Sequence, residues 1–199
     1  RKNQRNQRRV ICCLFADTEI SAQRWRRNNL MRQTSRDFFR TDDAKRIGDQ
    51  ILVYQRETGG WPKNIDEVRK EKGRTDDSTI DNGATTMQMQ YLSRLYQETG
   101  DKRYRTAFLK GLDYLLSGQC DNGGWPQFWP ETHGYQHHIT FNDDAIVNIL
   151  RLFSDIVKAE YPYNGDLTDM AMRKRLDLSI KKAIECILAT QMVIDGKLT

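Results

Sequence analysis

The segment Gln55-Arg-Glu-Thr-Gly59-Gly60-Trp61-Pro62 recurs 64 residues later as Gln119-Cys-Asp-Asn-Gly123-Gly124-Trp125-Pro126. Self-similarity at a period of this size constrains a fold more than any single residue. It implies one supersecondary unit used repeatedly, each copy burying its apolar face against the next. Each copy follows apolar residues at helical spacing: Ile51, Leu52 and Tyr54 before the first, Leu112, Tyr114, Leu115 and Leu116 before the second. Each is therefore expected to end a helix, with Gly as a left-handed cap and Pro preventing resumption.

The rest of the chain fits a helix-pair unit. Asp43 is expected to cap a helix through Ile47, Ile51, Leu52 and Tyr54, followed by a charged loop from Lys63 to Thr79. Asp81 opens a second helix carrying Met87, Tyr91, Leu92, Leu95 and Tyr96, which stops at Gly100. Asp101 starts a third, through Tyr104, Phe108, Leu112 and Leu115. The pattern begins again at Asn142-Asp143, with Ile146, Ile149, Leu150 and Phe153, and a long helix runs from about Asp169 to Gln191. Gln191-Met-Val-Ile-Asp-Gly196 looks like the opening of a third copy without its Trp-Pro. Strand signals are nearly absent. The expected fold is all-α: antiparallel helix pairs that alternate inner and outer helices as part of an α/α toroid.

Charge separates the N-terminal arm from the repeats. The net charge of +5 comes from residues 1–46, which carry 13 Lys/Arg against 5 Asp/Glu, whereas residues 47–199 carry 19 against 22. A basic arm with no recognised nucleic-acid motif does not make a nucleic-acid binder. No run approaches the ~18 apolar residues of a membrane span. Residues 1–24 are expected to form a basic arm and 25–199 the helical domain. Within the arm, basic Arg1–Arg9 followed by apolar Val10–Ala16 has the order of a secretory leader, with a disordered arm as the alternative. Cys12, Cys13, Cys120 and Cys186 are too few and too scattered for a disulfide framework and show no metal spacing.

Two helix starts concentrate carboxylate and amide groups: Ser78-Thr-Ile-Asp81-Asn82-Gly83-Ala-Thr-Thr and His138-Ile-Thr-Phe-Asn142-Asp143-Asp144-Ala. Asp81 and Asp143 are expected at equivalent points of the repeat. In a toroid such points converge on one rim, where two carboxylates repel unless a hard cation such as Ca²⁺ joins them. Helix capping is the alternative use for the same residues, since Asp and Asn are favoured N-caps. His137-His138 invites a transition-metal reading, but neighbouring histidines on a helix or strand point apart and no third ligand follows at ligand spacing. Trp61 and Trp125 are expected to pack over helix ends. Trp129 lies outside the repeated core and is the better candidate for contact with a sugar ring. Lys63 follows the first Trp-Pro where the second copy has Gln127, so its charge breaks the repeat.

Together, Gly59-Gly-Trp-Pro-Lys-Asn64, Ser78-Thr-Ile-Asp-Asn-Gly-Ala-Thr85, Gly123-Gly-Trp-Pro-Gln-Phe128 and Ile139-Thr-Phe-Asn-Asp-Asp144 resemble the family-ten polysaccharide lyases, the pectic acid lyases. The resemblance runs from about Trp25 to the end of the chain. It implies a toroid-like helical fold and Ca²⁺-dependent cleavage of polygalacturonate by β-elimination, by a secreted or periplasmic protein. It implies active-site carboxylates at Asp81 and Asp143, with Asp81, Asp143 and Asn142 as cation ligands. Lys63, Asn82, Trp129 and His138 are then the substrate contacts. Two departures stand out. The family pattern has an Asp where this chain has His137. Its proton-abstracting arginine belongs to a C-terminal motif that matches nothing in these 199 residues, so the chain reads as the N-terminal part of a lyase. A non-catalytic uronate binder is one alternative. A terpenoid cyclase, which shares Gln-x-x-x-Gly-x-Trp, is another, but it requires an Asp-x-Asp-Asp acid motif that neither Asp76-Asp77 nor Asp143-Asp144 supplies.

Overall fold

A computed structural model describes residues 29–67, 77–130 and 134–198. The chain divides into two units, 1–33 and 34–199. Of the first, a single helical turn at 29–31 is described. The basic arm and its leader-like segment, Cys12, Cys13, Asp76 and most of the charged loop after Lys63 lie outside the described residues.

The second unit is built from α1 (Arg36–Phe39), α2 (Asp42–Tyr54), α3 (Thr86–Thr99), α4 (Lys102–Ser117), α5 (Ala145–Lys158) and α6 (Met170–Thr190). It closes on a two-stranded antiparallel hairpin, β1 (Val193–Ile194) with β2 (Lys197–Leu198). Asp195 and Gly196 turn that hairpin at φ 49° and 75°, the primed-turn conformation Asp-Gly favours. Helix caps explain most boundaries. Thr41, rather than the expected Asp43, caps α2, accepting from the Ala44 N–H at 3.2 Å. Asp42 and Asp43 sit instead in the first turn, where the positive end of the helix dipole favours them. Gly100 ends α3 in a left-handed conformation, and Asp101 and Asp169 cap α4 and α6 as expected.

Packing follows the helix-pair scheme. α3 packs against α1, α2, α4 and α5, while α5 packs against α3 and α6. α3 and α5 are therefore the inner helices and α2, α4 and α6 the outer ones. α3 buries Met89, Tyr91, Leu92, Leu95 and Tyr96, and α5 buries Ile146, Ile149, Leu152, Phe153 and Ile156.

The repeated motif joins each outer helix to the next. α2 ends at Tyr54 and α4 at Ser117, before the glycines, with Gln55 extended and Gly118 still right-handed. The glycines thus do not cap these helices; they form the turn that follows. Gly59 and Gly123 adopt φ 96° and 95°, and a Cβ on them would come within 2.3 and 2.1 Å of the Lys110 and Lys182 carbonyl oxygens. Only glycine combines that conformation with so close a backbone approach. Gln55 Nε2 donates to the Gly59 and Ala107 carbonyls at 2.8 Å each, and Gln119 Nε2 to those of Gly123 and Ser179 at 2.9 Å each. Trp61 Nε1 donates to the Ile51 carbonyl, and Trp125 Nε1 to that of Leu115. Both indoles are fully buried, so they pack rather than meet solvent. The third Gln, Gln191, leaves α6 extended as Gln55 leaves α2, and the hairpin follows it.

Candidate active site

After each Trp-Pro the chain returns to its own motif before entering an inner helix. The Thr79 N–H donates to the Trp61 carbonyl at 3.1 Å, and the Thr140 N–H to the Trp125 carbonyl at 3.0 Å. Each threonine hydroxyl then accepts from the backbone N–H two residues on, Asp81 at 3.0 Å and Asn142 at 3.2 Å. Ile80 and Phe141 have φ/ψ of −104°/0° and −105°/1°. Asn82 (53°/29°) and Asp143 (50°/36°) follow in left-handed conformations. The two turns share this entry and then part, because the chain is extended at Ala84 (ψ 154°) but already helical at Ala145 (ψ −57°).

That equivalence corrects the expected pairing. The structural partner of Asp81 is Asn142, and the partner of Asp143 is Asn82. The loop from Trp125 to Thr140 is three residues shorter than that from Trp61 to Thr79, which shifts the register away from that of the Trp-Pro motifs. Asp81 and Asp143 meet because they occupy successive positions on neighbouring copies of one turn. The turns pack together, which brings the Asp143 carboxyl near that of Asp81.

Capping does not account for these residues. No side chain caps α3 or α5, and neither Asp81 nor Asp143 accepts from an N–H at a helix start. α3 begins after Thr85 (φ 66°), whose hydroxyl accepts from the Trp61 N–H and donates to the Thr79 carbonyl, both at 2.9 Å. The hydroxyl locks the turn to the Trp-Pro motif.

Asp81 is 3% exposed, whereas Asn82, Asn142, Asp143 and Asp144 face solvent. The Lys63 ammonium donates to Asp81 Oδ2, and the Gln127 amide stands near enough to favour the charged form of the same carboxylate. Burial pushes the Asp81 carboxyl up, but Lys63, and after it Gln127, outweigh it and hold the group below the ordinary carboxylate range. Lys63 and Gln127 stand at the same repeat position, directly after Trp-Pro, and both converge on one carboxylate. Sequence reasoning missed Gln127 because Lys63 looked like an isolated charge; the signal was its place in the repeat. Gln127 is also a backbone fixture. Its carbonyl accepts from Thr79 Oγ1 at 2.6 Å and the Ile80 N–H at 3.3 Å, tying the second loop to the first turn.

The remaining candidates fall into place differently. Asn142 Nδ2 donates to Asp143 Oδ2 at 2.8 Å and so orients that carboxylate. Trp129 is not an open platform. Its ring stacks on Tyr114 at 4.1 Å, lies against Gly118 and is 7% exposed, with Nε1 donating to the Tyr114 carbonyl. Trp129 fills the space a side chain at Gly118 would need, so packing replaces the expected sugar contact. His137 and His138 do not point apart: they lie at the end of a tight helical turn with ring centroids 4.0 Å apart, both exposed.

The donor set suits a hard cation. Two carboxylates from different repeats come together, Asp81 buried and Asp143 exposed, with side-chain amides beside them that also offer oxygen. Among the described residues no group of three or more His, Cys, Asp or Glu side chains is placed to enclose a metal. Asp81 and Asp143 are the residues here that would hold a divalent ion, through carboxylate oxygens of the kind Ca²⁺ takes.

A family model for pectic acid lyases matches residues 55–199. Among solved structures, a family 10 polysaccharide lyase from Cellvibrio cellulosa superposes with a TM-score of 0.72 at 34% identity, over 82% of this chain and 51% of that one. An aspartate-to-alanine mutant of family 10 polysaccharide lyase from the same organism, in complex with trigalacturonic acid, gives a TM-score of 0.73 at 33% identity, over 82% and 52%. This chain therefore spans about half the length of those structures. No curated protein sequence matches it.

Proposed function

This chain belongs to the pectic acid lyase family, and from that premise we propose that it serves calcium-dependent β-elimination of polygalacturonate outside the cell, by providing the acidic side of the site. The observation that supports this is the meeting of Asp81 and Asp143 from successive repeats on a solvent-open turn. Ca²⁺ bound there would hold a uronate carboxylate and, by withdrawing charge, acidify the proton on the neighbouring ring carbon. Asp81 and Asp143 are the proposed ligands, with Asn142 fixing the rotamer of Asp143. Gln127 and the Thr79 hydroxyl fix the Asp81 turn, so the two carboxylates are set before substrate arrives. Asn82 and His138 lie on the exposed side and are proposed to meet sugar hydroxyls. We assign to these residues cation binding and substrate orientation, and no proton abstraction. The family membership sets aside a terpenoid cyclase.

The test is to mix the protein with polygalacturonate and follow ultraviolet absorbance of the unsaturated product, with and without chelator. Chelator-sensitive absorbance is expected where the base is available. Calorimetric binding of trigalacturonate that needs Ca²⁺, without absorbance, identifies a uronate binder. Binding indifferent to chelator removes the calcium role.

A further inference from the structure

Asp81 and Asp143 sit on turns that pack together, and a cation from the chain itself is already on Asp81. The Lys63 ammonium donates to Asp81 Oδ2 and lies 5.3 Å from the centre of the Phe128 ring. Gln127 reaches the same carboxylate from the second copy. The two are not equivalent. A neutral amide can share a carboxylate with a metal ion, whereas an ammonium in direct contact repels one. The Lys63 side chain is about a quarter exposed, and its flexible four-carbon stem lets the ammonium reach water without disturbing the buried Trp61-Pro62 next to it.

We propose that Lys63 is the resident counter-cation of the Asp81–Asp143 pair, and that a divalent cation binding there displaces its ammonium. The carboxylates then remain set without metal, at the cost of lowered cation affinity. The displaced ammonium stays beside an anionic substrate's site. This rests on the cation role proposed for Asp81 and Asp143.

Calcium titration of the whole chain by calorimetry tests it, using wild type, Lys63→Met and Lys63→Gln, with folding checked by circular dichroism. Both variants should bind Ca²⁺ roughly three- to tenfold more tightly, because a competing charge is gone. A folded variant that binds Ca²⁺ no more tightly than wild type overturns the counter-cation role and leaves the cation site intact. Ca²⁺ binding by the variants alone supports it in its strongest form, while binding by none overturns this inference and the calcium role together. Amine acetylation read by mass spectrometry supplies a second measure on wild type: Lys63 labelling should rise on adding Ca²⁺. Labelling that Ca²⁺ leaves unchanged or lowers, in a chain that binds the ion, means the ammonium is not displaced.

Discussion

The turns before α3 and α5 enter alike, with Ile80 and Asn82 matching Phe141 and Asp143 in backbone dihedrals to within about 7°, yet they carry different chemistry. Asp81 is buried, salt-bridged to Lys63 and followed by Asn82 and Gly83. Its counterpart Asn142 is exposed, followed by Asp143 and Asp144. At the position after Trp-Pro, one copy has a cation and the other an amide. The scaffold positions have stayed fixed while the positions facing the shared rim have diverged. Divergence places one carboxylate deep and one shallow in a single site. Two identical copies would place two deep carboxylates or two shallow ones.

If the motifs are scaffold, their tryptophans should be energetically alike. Trp61→Ala and Trp125→Ala each remove a fully buried indole and its hydrogen bond to the helix before it. Each should cost about 3–5 kcal/mol of unfolding free energy. Denaturant unfolding with the two costs differing severalfold would break the symmetry argued here. The aspartates should instead be unlike. Asp81→Asn leaves the Lys63 ammonium without its ion pair and should cost about 2 kcal/mol, between exposed and fully buried pairs. Asp143→Asn touches an exposed group beside another carboxylate and should change metal-free stability by less than about 0.5 kcal/mol. Both should weaken Ca²⁺ binding in calorimetry. Equal stability costs, or loss of Ca²⁺ binding in only one variant, would show that depth does not divide the roles.

Much of this was legible in the sequence. Gln-x-x-x-Gly-Gly-Trp-Pro announced the repeat, and the spacing of Tyr91, Leu92, Leu95 and Ile146, Ile149, Phe153 gave the inner helices. The register of the site was not legible. Pairing the acidic residues of the two helix starts treats Asp81 and Asp143 as equivalents, whereas the backbone hydrogen bonds from Thr79 and Thr140 set Asp81 opposite Asn142. The fate of Trp129 was hidden for a related reason. Its pocket is made by Tyr114 and Gly118 of the preceding helix, a contact that depends on how the loop folds back. Gln127 was overlooked because a neutral residue draws less notice than the lysine it replaces.

The smallest expected effect separates the two aspartates by pH. Burial raises the Asp81 carboxyl, but Lys63 first, then Gln127, leave it depressed in the folded protein. A depressed carboxylate contributes stability that is fully present above its unfolded value, near 3.9. That contribution is lost as pH falls through the lower folded value, because protonation then costs the folded state its pairing. Glu98 is depressed as well, Arg36 and Arg40 outweighing its burial, so wild type alone cannot isolate Asp81. The difference between wild type and Asp81→Asn can. Their gap in unfolding free energy, measured without metal, should be constant from neutral pH to about pH 5 and shrink below about pH 4. A gap that widens on acidification would mean that the buried carboxylate is raised rather than depressed, and that Lys63 does not hold it.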